Sequence, residues 1–335
     1  MHVIISEHGM FLGKKSERLV IKKAGETVSE TPLFDVEQIT IATSGVSISA
    51  DLIHDCVERG IQINFLTYTG KPYAKVTSPT LSGTVATRRE QLMAFYDERG
   101  IQLAKAIIEG KLRNQINVLK YFAKYRKEAD KEVYACIYDA TRKMESIKSE
   151  LVEINGKCID DVRGQLMSVE GRTSTHYWNL VGQVLLDKIE FPGREHRGAT
   201  DAFNSLLNYG YGMLYSQAWG ALILAGLEPF GGFLHVDRPG RASLVLDFVE
   251  EFRQQVVDRV VIAMISKGYT PRMEEDRLSA ETRKEFSKRI LERLDGQERY
   301  EAKKYRLKTI IQMQARHMAT FLRREGKYKA FVGGW

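Results

Sequence analysis

SPTLSGTVATRRE, residues 78–90, separates two kinds of sequence. Pro79 and Gly83 break any regular pattern there, so the stretch reads as a connector. On its N-terminal side, short runs rich in β-branched residues recur: VII at 3–5, LVI at 19–21, ITIA at 39–42, INFL at 63–66 and AKVT at 74–77. Gly9, Gly13, Gly25, Pro32, Gly45 and the run Gly70-Lys71-Pro72 punctuate them, a pattern of strands and turns. One helix is expected to interrupt: Ser49 can cap it, Ile53 and Val57 lie four apart, and Gly60 can close it.

On the C-terminal side the spacing turns helical. Ile101, Ala104, Ile108, Leu112, Ile116 and Leu119 recur every three or four residues and paint one apolar stripe. Further helices are expected over 129–152, 160–168, 172–189, 202–225, 243–265, 279–294 and 301–324. The fold class is therefore α+β: a β domain with one helix at 1–77, a linker at 78–90, and a larger helical domain at 91–335. Internal repeats and low-complexity tracts are not found in the sequence.

Composition is that of a globular protein, with 43% hydrophobic and 28% charged residues, and the length suits two domains. No run approaches a membrane span and no leader-like segment opens the chain, so a cytoplasmic location is expected. Cys56, Cys136 and Cys158 have no CxxC spacing and read as free thiols in a reducing compartment. The net charge of +7 is concentrated between 303 and 335, where nine basic residues face only Glu325. Tyr305, Phe321, Tyr328, Phe331 and Trp335 are interleaved with them. Such a segment fits a phosphate backbone, and equally a solubilising helix with a tail.

Three residues stand out as candidate chemistry. Glu170 lies in QLMSVEGRTSTHYW, His235 in LEPFGGFLHVDR and Glu250 in SLVLDFVEEFR. Two carboxylates and an imidazole, with no thiolate, suit a divalent metal acting on phosphate or water. Imidazole tilts the choice between Mn²⁺ and Mg²⁺ toward Mn²⁺, because Mg²⁺ prefers oxygen ligands alone. Asp247 stands three residues before Glu250, so one helix can bury Val245, Phe248, Val249 and Phe252 while aiming both acids at a shared cation. Asp247 is thus an auxiliary-ligand candidate. Taken singly, each has a plainer explanation: a solvated acidic face, a structural histidine, or an acid at a helix N-terminus. Arg172, Arg238, Arg241 and Arg253 flank the ligands and could position phosphates, or else pair with Asp237, Asp247 or Glu251. Arg323 and Arg324 are DNA-contact candidates in the basic C-terminal segment.

Familiar signatures fail. Gly9 to Lys15 is too short for a P-loop and lacks its Ser/Thr, and Gly210-Tyr211-Gly212 has Tyr215 where a dinucleotide fingerprint needs glycine. Neither G-x-S-x-G nor HExxH occurs in the sequence. Asp51, His54 and Asp55 share a helix face but lack a further convergent partner.

Six blocks in order resemble one family, the CRISPR-associated integrase that is the metal-dependent endonuclease subunit of the spacer-acquisition complex. They are GIQINFLTYTGKPYAKV (60–76), GKLRNQINVL (110–119) with Lys111, Asn114 and Gln115, and LMSVEGRTSTHYW (166–178). DAFNSLLNYGYGMLYSQ (201–217), GLEPFGGFLHVDRPGRASLVLDFVEEFR (226–253) and QARHMATFLRREGKYKAF (314–331) follow. The resemblance places Glu170, His235 and Glu250 on the family's metal-binding glutamate, histidine and final acid. It implies a homodimerising β domain, a helical catalytic domain, and a small ferredoxin-like partner. The implied reaction is attack of the 3′-hydroxyl of a short DNA fragment on CRISPR repeat DNA. The chain departs from the family at Gln254, where proline often stands, and at Thr173-Ser174-Thr175, where an alanine-arginine pair is common; neither position is a ligand. Two other classes remain as expectations to be tested: a general metal-dependent nuclease acting on branched or single-stranded DNA in repair, and a DNA-binding scaffold without catalysis.

Overall fold

The structure, a computed structural model, describes the chain except residues 79–83, 125–127, 129–130, 186–187, 197 and 335. The N-terminal region carries two four-stranded sheets. In the first, β1 (His2–Ile5), β5 (Gln38–Ile41) and β7 (Gln62–Leu66) run parallel, and β8 (Pro72–Val76) returns antiparallel beside β7. In the second, β2 (Met10–Lys15), β3 (Arg18–Lys23) and β4 (Glu26–Pro32) form an antiparallel meander, and β6 (Ser47–Ile48) pairs parallel with β2. The helix α1 (Ala50–Glu58) starts as its sequence predicts, with the Ser49 side chain accepting from the Leu52 N–H. Leu12, Leu19, Leu33, Ile39, Leu52, Cys56 and Ile63 fill the core of this region.

The runs at 3–5, 19–21 and 63–66 fall on strands, and those at 39–42 and 74–77 do so except for their last residues, Ala42 and Thr77. The other three strands carried weak signals. In β2, Gly13 lies mid-strand rather than at a turn, and a Cβ there would meet the Phe11 ring. In β4, the residues ETVSETP form an edge strand with hardly any apolar pattern.

The remainder is helical: α2 (Thr84–Ala94), α3 (Glu98–Ala123), α4 (Lys131–Ser149), α5 (Ile159–Leu185), α6 (Ala202–Leu224), α7 (Ser243–Val249), α8 (Arg259–Ser266), α9 (Ala280–Asp295) and α10 (Leu307–Leu322). Two short hairpins join them, β9 (Met273–Glu274) with β10 (Arg277–Leu278), and β11 (Gln297–Tyr300) with β12 (Lys303–Arg306). Residues 84–90, read as connector, are the first turns of α2, while 79–83 lie outside the described residues. The two helices expected at 160–168 and 172–189 are one, because Gly171 sits inside α5 without breaking it. The helix expected over 243–265 is interrupted by a turn at 250–252 and a π-helical segment, Gln254–Asp258. Single π turns inside helices are frequent at functional sites.

The helix α3 is the spine of this region. Its predicted stripe, including Ile101, Ala104, Ile108, Leu112, Ile116 and Leu119, is buried. Each large aliphatic side chain so removed from water contributes roughly 1.5–3 kcal/mol. The segment after α10 is not a loose tail. Phe331 is fully buried and stacks on Phe252, with ring centroids 5.4 Å apart and planes 15° apart. Gly110 on α3 makes room for it, since a Cβ there would stand 2.4 Å from that of Ala330.

The β7–β8 hairpin docks on α6 by the same device. Gly70 has φ +82° and lies so close to Gly212 that a Cβ on Gly212 would overlap the Gly70 carbonyl. The NYGYG block therefore sets how the hairpin meets the helices.

Candidate metal centre

Glu170 comes from the middle of α5, Lys111 from the middle of α3, and Glu250 from the turn that ends α7. The Lys111 ammonium joins the two carboxylates. It donates to Glu170 Oε1 and lies 2.7 Å from Glu250 Oε2. The other oxygen of Glu250 is 3.0 Å from Arg253 Nη1. Glu170 is steadied by a short relay, Gln115 Nε2 to Ser174 Oγ at 3.2 Å and Ser174 Oγ to Glu170 Oε1 at 2.9 Å.

Burial works against charge on Glu250, but Arg253, Lys111 and His235 outweigh it and hold the carboxyl down at about 2. Burial likewise opposes charge on Lys111, and the carboxylates of Glu250 and Glu170 overcome it and raise its pKa. Glu250 is therefore ionised at neutral pH, with an ammonium at one oxygen and a guanidinium at the other.

His235 sits in the loop between α6 and α7. Asp247, fully buried on α7, collects four donors: the backbone N–H groups of Phe233 (2.7 Å), Leu234 (2.9 Å) and His235 (2.9 Å), and His235 Nδ1 (2.7 Å). Helical spacing alone suggested Asp247 and Glu250 aimed at one cation. The folded loop instead saturates Asp247 with hydrogen bonds, so that it orients His235 and leaves Nε2 as the ring's free nitrogen.

Glu170, Glu250 and the Nε2 of His235 are ligands of the right kind for a hard or borderline divalent cation. Glu250 Oε2 is buried with no hydrogen-bond partner, only the ammonium beside it. Among the described residues, no three His, Cys, Asp or Glu side chains stand grouped as a ready-made metal site. The two carboxylates are brought together; the place between them is taken by Lys111.

A cleft of about 1420 Å³ opens beside this cluster, between the β7–β8 hairpin, α6 and the loop residues Arg194, His196 and Gly198 to Thr200. Tyr68, Lys71, Arg194, Tyr211, Trp219 and Arg253 are among its walls. Arg253 reaches both ways, touching Glu250 and lying over the Tyr211 ring at 4.9 Å from its centroid. Tyr211 and Tyr177 donate to Asp258, at 2.5 and 2.9 Å. Burial raises the Asp258 carboxyl to about 6, although both phenols and the nearby Arg194 and Arg253 pull it down.

The other arginines singled out in the sequence are placed differently. Arg172, exposed on α5, pairs with Glu150 at 2.5 Å. Arg238 is exposed in the turn after His235, and Arg241 closes that turn, at the rim where Gly240 lines the cleft. Arg323 pairs with Glu325 and Thr87, and Arg324 with Asp97 at the start of α3, roughly 20 Å along that helix from Lys111. Lys308 of the basic segment is likewise paired, with Glu37 and Asp295.

Lys111 stands between the two carboxylates, and Arg194 and His196 line the cleft, positions that the residue types alone did not disclose. His196 lies within the field of Arg194, Arg253, Lys111 and Glu250, and desolvation together with those cations lowers its pKa to about 4. For Lys111 a signal was present: it stands three residues after Ile108, beside an apolar stripe where a lysine must find an anion.

The family model for CRISPR associated protein Cas1 matches residues 3–292. The CRISPR-associated endonuclease Cas1 1 of Archaeoglobus fulgidus is 36% identical over 347 residues, covering 100% of both chains. Among solved structures, a casposase bound to integration product superposes with a TM-score of 0.81 at 23% identity, over 99% of this chain and 93% of that one. A Cas6-RT-Cas1–Cas2 complex matches with a TM-score of 0.78 at 20% identity, over 99% of this chain and 36% of that one. With the α+β fold, the paired glutamates and the oriented histidine in place, the chain belongs to the CRISPR-associated Cas1 family of endonucleases.

Proposed function

We propose that this protein is a divalent-metal-dependent DNA endonuclease and integrase that joins the 3′-hydroxyl ends of short DNA to CRISPR repeat DNA. The observation that carries the reading is the Glu170–Glu250 pair held on one cation, with His235 fixed by Asp247, at the end of a basic and aromatic cleft. Glu170, Glu250 and His235 Nε2 would hold Mn²⁺ or Mg²⁺. Such an ion polarises a phosphate and lowers the pKa of an attacking hydroxyl or water. Arg253, between Glu250 and the cleft, would take a phosphate oxygen, and Arg172, Arg238 and Arg241 would hold DNA at the rim. Arg323 and Arg324 would serve a more distant stretch of duplex. Trp219, in the wall of the cleft, offers a face on which an unpaired base could stack.

The remaining parts of the reading concern assembly. Residues 1–77 would form the homodimer contact, for which the exposed β4 edge with Val28, and Phe34 in the turn that follows it, is the favourable surface. A small ferredoxin-like partner would complete the complex, supported by the Cas1–Cas2 assembly among similar structures. No helix among the described residues is long and apolar enough to cross a membrane, and a cytoplasmic site of action is part of the proposal.

The test is strand transfer of a labelled short duplex into supercoiled, repeat-bearing DNA with Mn²⁺, with and without the small partner, comparing wild type and His235→Ala. Joined product from wild type alone is expected. Nicking without joining points to a general nuclease, and equal behaviour of the two proteins removes the metal site.

A further inference from the structure

Among the described residues, Lys111 is the one side chain in ion contact with both carboxylates of the cluster. It is 8% exposed, on a stretch of α3 where Ile107, Ile108 and Leu112 are fully buried. Its neighbours one turn on, Asn114 and Gln115, are tied to other elements through hydrogen bonds to Glu251, Phe331 and Ser174. The ammonium is therefore built into the centre of the cluster, not swept there from the surface. Without it, the buried Glu250 and the half-buried Glu170 would face each other with Arg253 at one oxygen of Glu250 to balance them.

We propose that Lys111 is a resident counter-ion: it holds the Glu170–Glu250 pair in the cation's place and leaves that place when a divalent ion binds. The inference rests on the metal reading above and goes beyond it, since it assigns a role in the metal-free protein. Three features argue for exchange rather than permanent pairing. A lysine is a compact point charge on a four-carbon stem, able to withdraw where a planar guanidinium could not. Glu250 Oε2 has the ammonium as its one close partner, so a cation that replaced the ammonium would meet an oxygen committed to nothing else. His235 Nδ1 is committed to Asp247, which leaves Nε2 as the ring nitrogen that could turn to a cation once the ammonium has left.

The experiment is Mn²⁺ titration followed by calorimetry, with melting curves in Mn²⁺ and in chelator, on wild type, Lys111→Met and Arg253→Gln. Loss of a charged contact that the metal must otherwise displace predicts Mn²⁺ binding tighter by roughly ten- to a hundredfold in Lys111→Met. The same variant should melt below wild type in chelator and show the larger rise on adding Mn²⁺. Arg253→Gln removes an equal charge beside Glu250 without vacating the bridge, and should gain much less. A Lys111→Met affinity within about twofold of wild type, or a gain no larger than that of Arg253→Gln, overturns the inference. Should Lys111→Met not fold in chelator, Lys111→Gln keeps a hydrogen-bonding group there and is read the same way. A wild-type protein with no saturable Mn²⁺ site sensitive to Glu250→Gln would instead remove the metal reading itself.

Discussion

Asp247 Oδ1 accepts from both the backbone N–H and the ring Nδ1 of His235, at 2.9 and 2.7 Å. A single oxygen thus fixes where the imidazole sits and which nitrogen carries its proton. Asp247→Asn would present an N–H to Nδ1 or to the loop, favouring the tautomer whose Nε2 is protonated and unable to bind metal. Activity and Mn²⁺ affinity should each fall by about 10–100-fold. Stability should fall by about 1–3 kcal/mol, since three backbone N–H groups share that buried carboxylate. Strand transfer and urea unfolding measure the two effects, and wild-type metal affinity in Asp247→Asn would show that orientation of His235 is unimportant.

Asp258 gives a pH dependence with a defined sign. Its carboxyl is raised from the ordinary 3.8 to about 6 in the folded protein, first by burial. The folded state therefore binds the proton more tightly than the unfolded one. Its contribution to stability is complete below about pH 4 and is lost as pH rises through about 6. Each tenfold gain in proton affinity is worth about 1.36 kcal/mol, so the loss should approach about 3 kcal/mol. Asp258→Asn, still able to bond both Tyr177 and Tyr211, should be the more stable protein at pH 7.5 and lose that advantage at pH 4. Denaturant midpoints of the two proteins at both pH values decide it; parallel pH profiles would mean that Asp258 titrates normally.

The contact between Gly110 and Ala330 predicts a rescue. Gly110→Ala adds a methyl 2.4 Å from the Ala330 Cβ and should cost about 1–3 kcal/mol by overpacking. Ala330→Gly removes the clashing atom, leaving the Phe331 carbonyl at 3.5 Å as the nearest neighbour. The double variant should recover most of the loss, because alanine also favours a helix over glycine. Thermal melts of the four proteins form the cycle, and purely additive losses would sever the proposed link.

DNA binding should depend on where a cation stands, not on how many there are. Lys71 and Arg277 line the cleft, while Arg323 and Arg324 are paired with acids elsewhere. Lys71→Glu with Arg277→Glu should weaken short-duplex binding more than Arg323→Glu with Arg324→Glu, and should flatten its salt dependence. Filter binding at two salt concentrations makes the comparison.

The α+β division was legible because strand and helix periodicities differ on the two sides of residue 80, and the α3 stripe could be read residue by residue. What escaped has physical causes. An edge strand such as β4 buries nothing and so leaves no alternation. Gly171 does not end α5, since a glycine inside a long helix costs only about 1 kcal/mol against the packing of its neighbours. The residue types of Glu170, His235 and Glu250 suggested metal chemistry. The saturation of Asp247 depends on a loop folding back over α7, and the bridge by Lys111 on helices joined only in three dimensions.

The hydrogen bond from the Gly333 N–H to Asn114 Oδ1 spans 219 residues, and Asn114 Nδ2 reaches the Phe331 carbonyl across 217. Closing so long a loop is entropically costly, so these contacts are upheld by the packing around them rather than by local chain geometry. Asn114 also donates to the Glu251 carbonyl, so a single amide side chain on α3, one turn from Lys111, fastens the turn after α7 and the last residues of the chain to the same point.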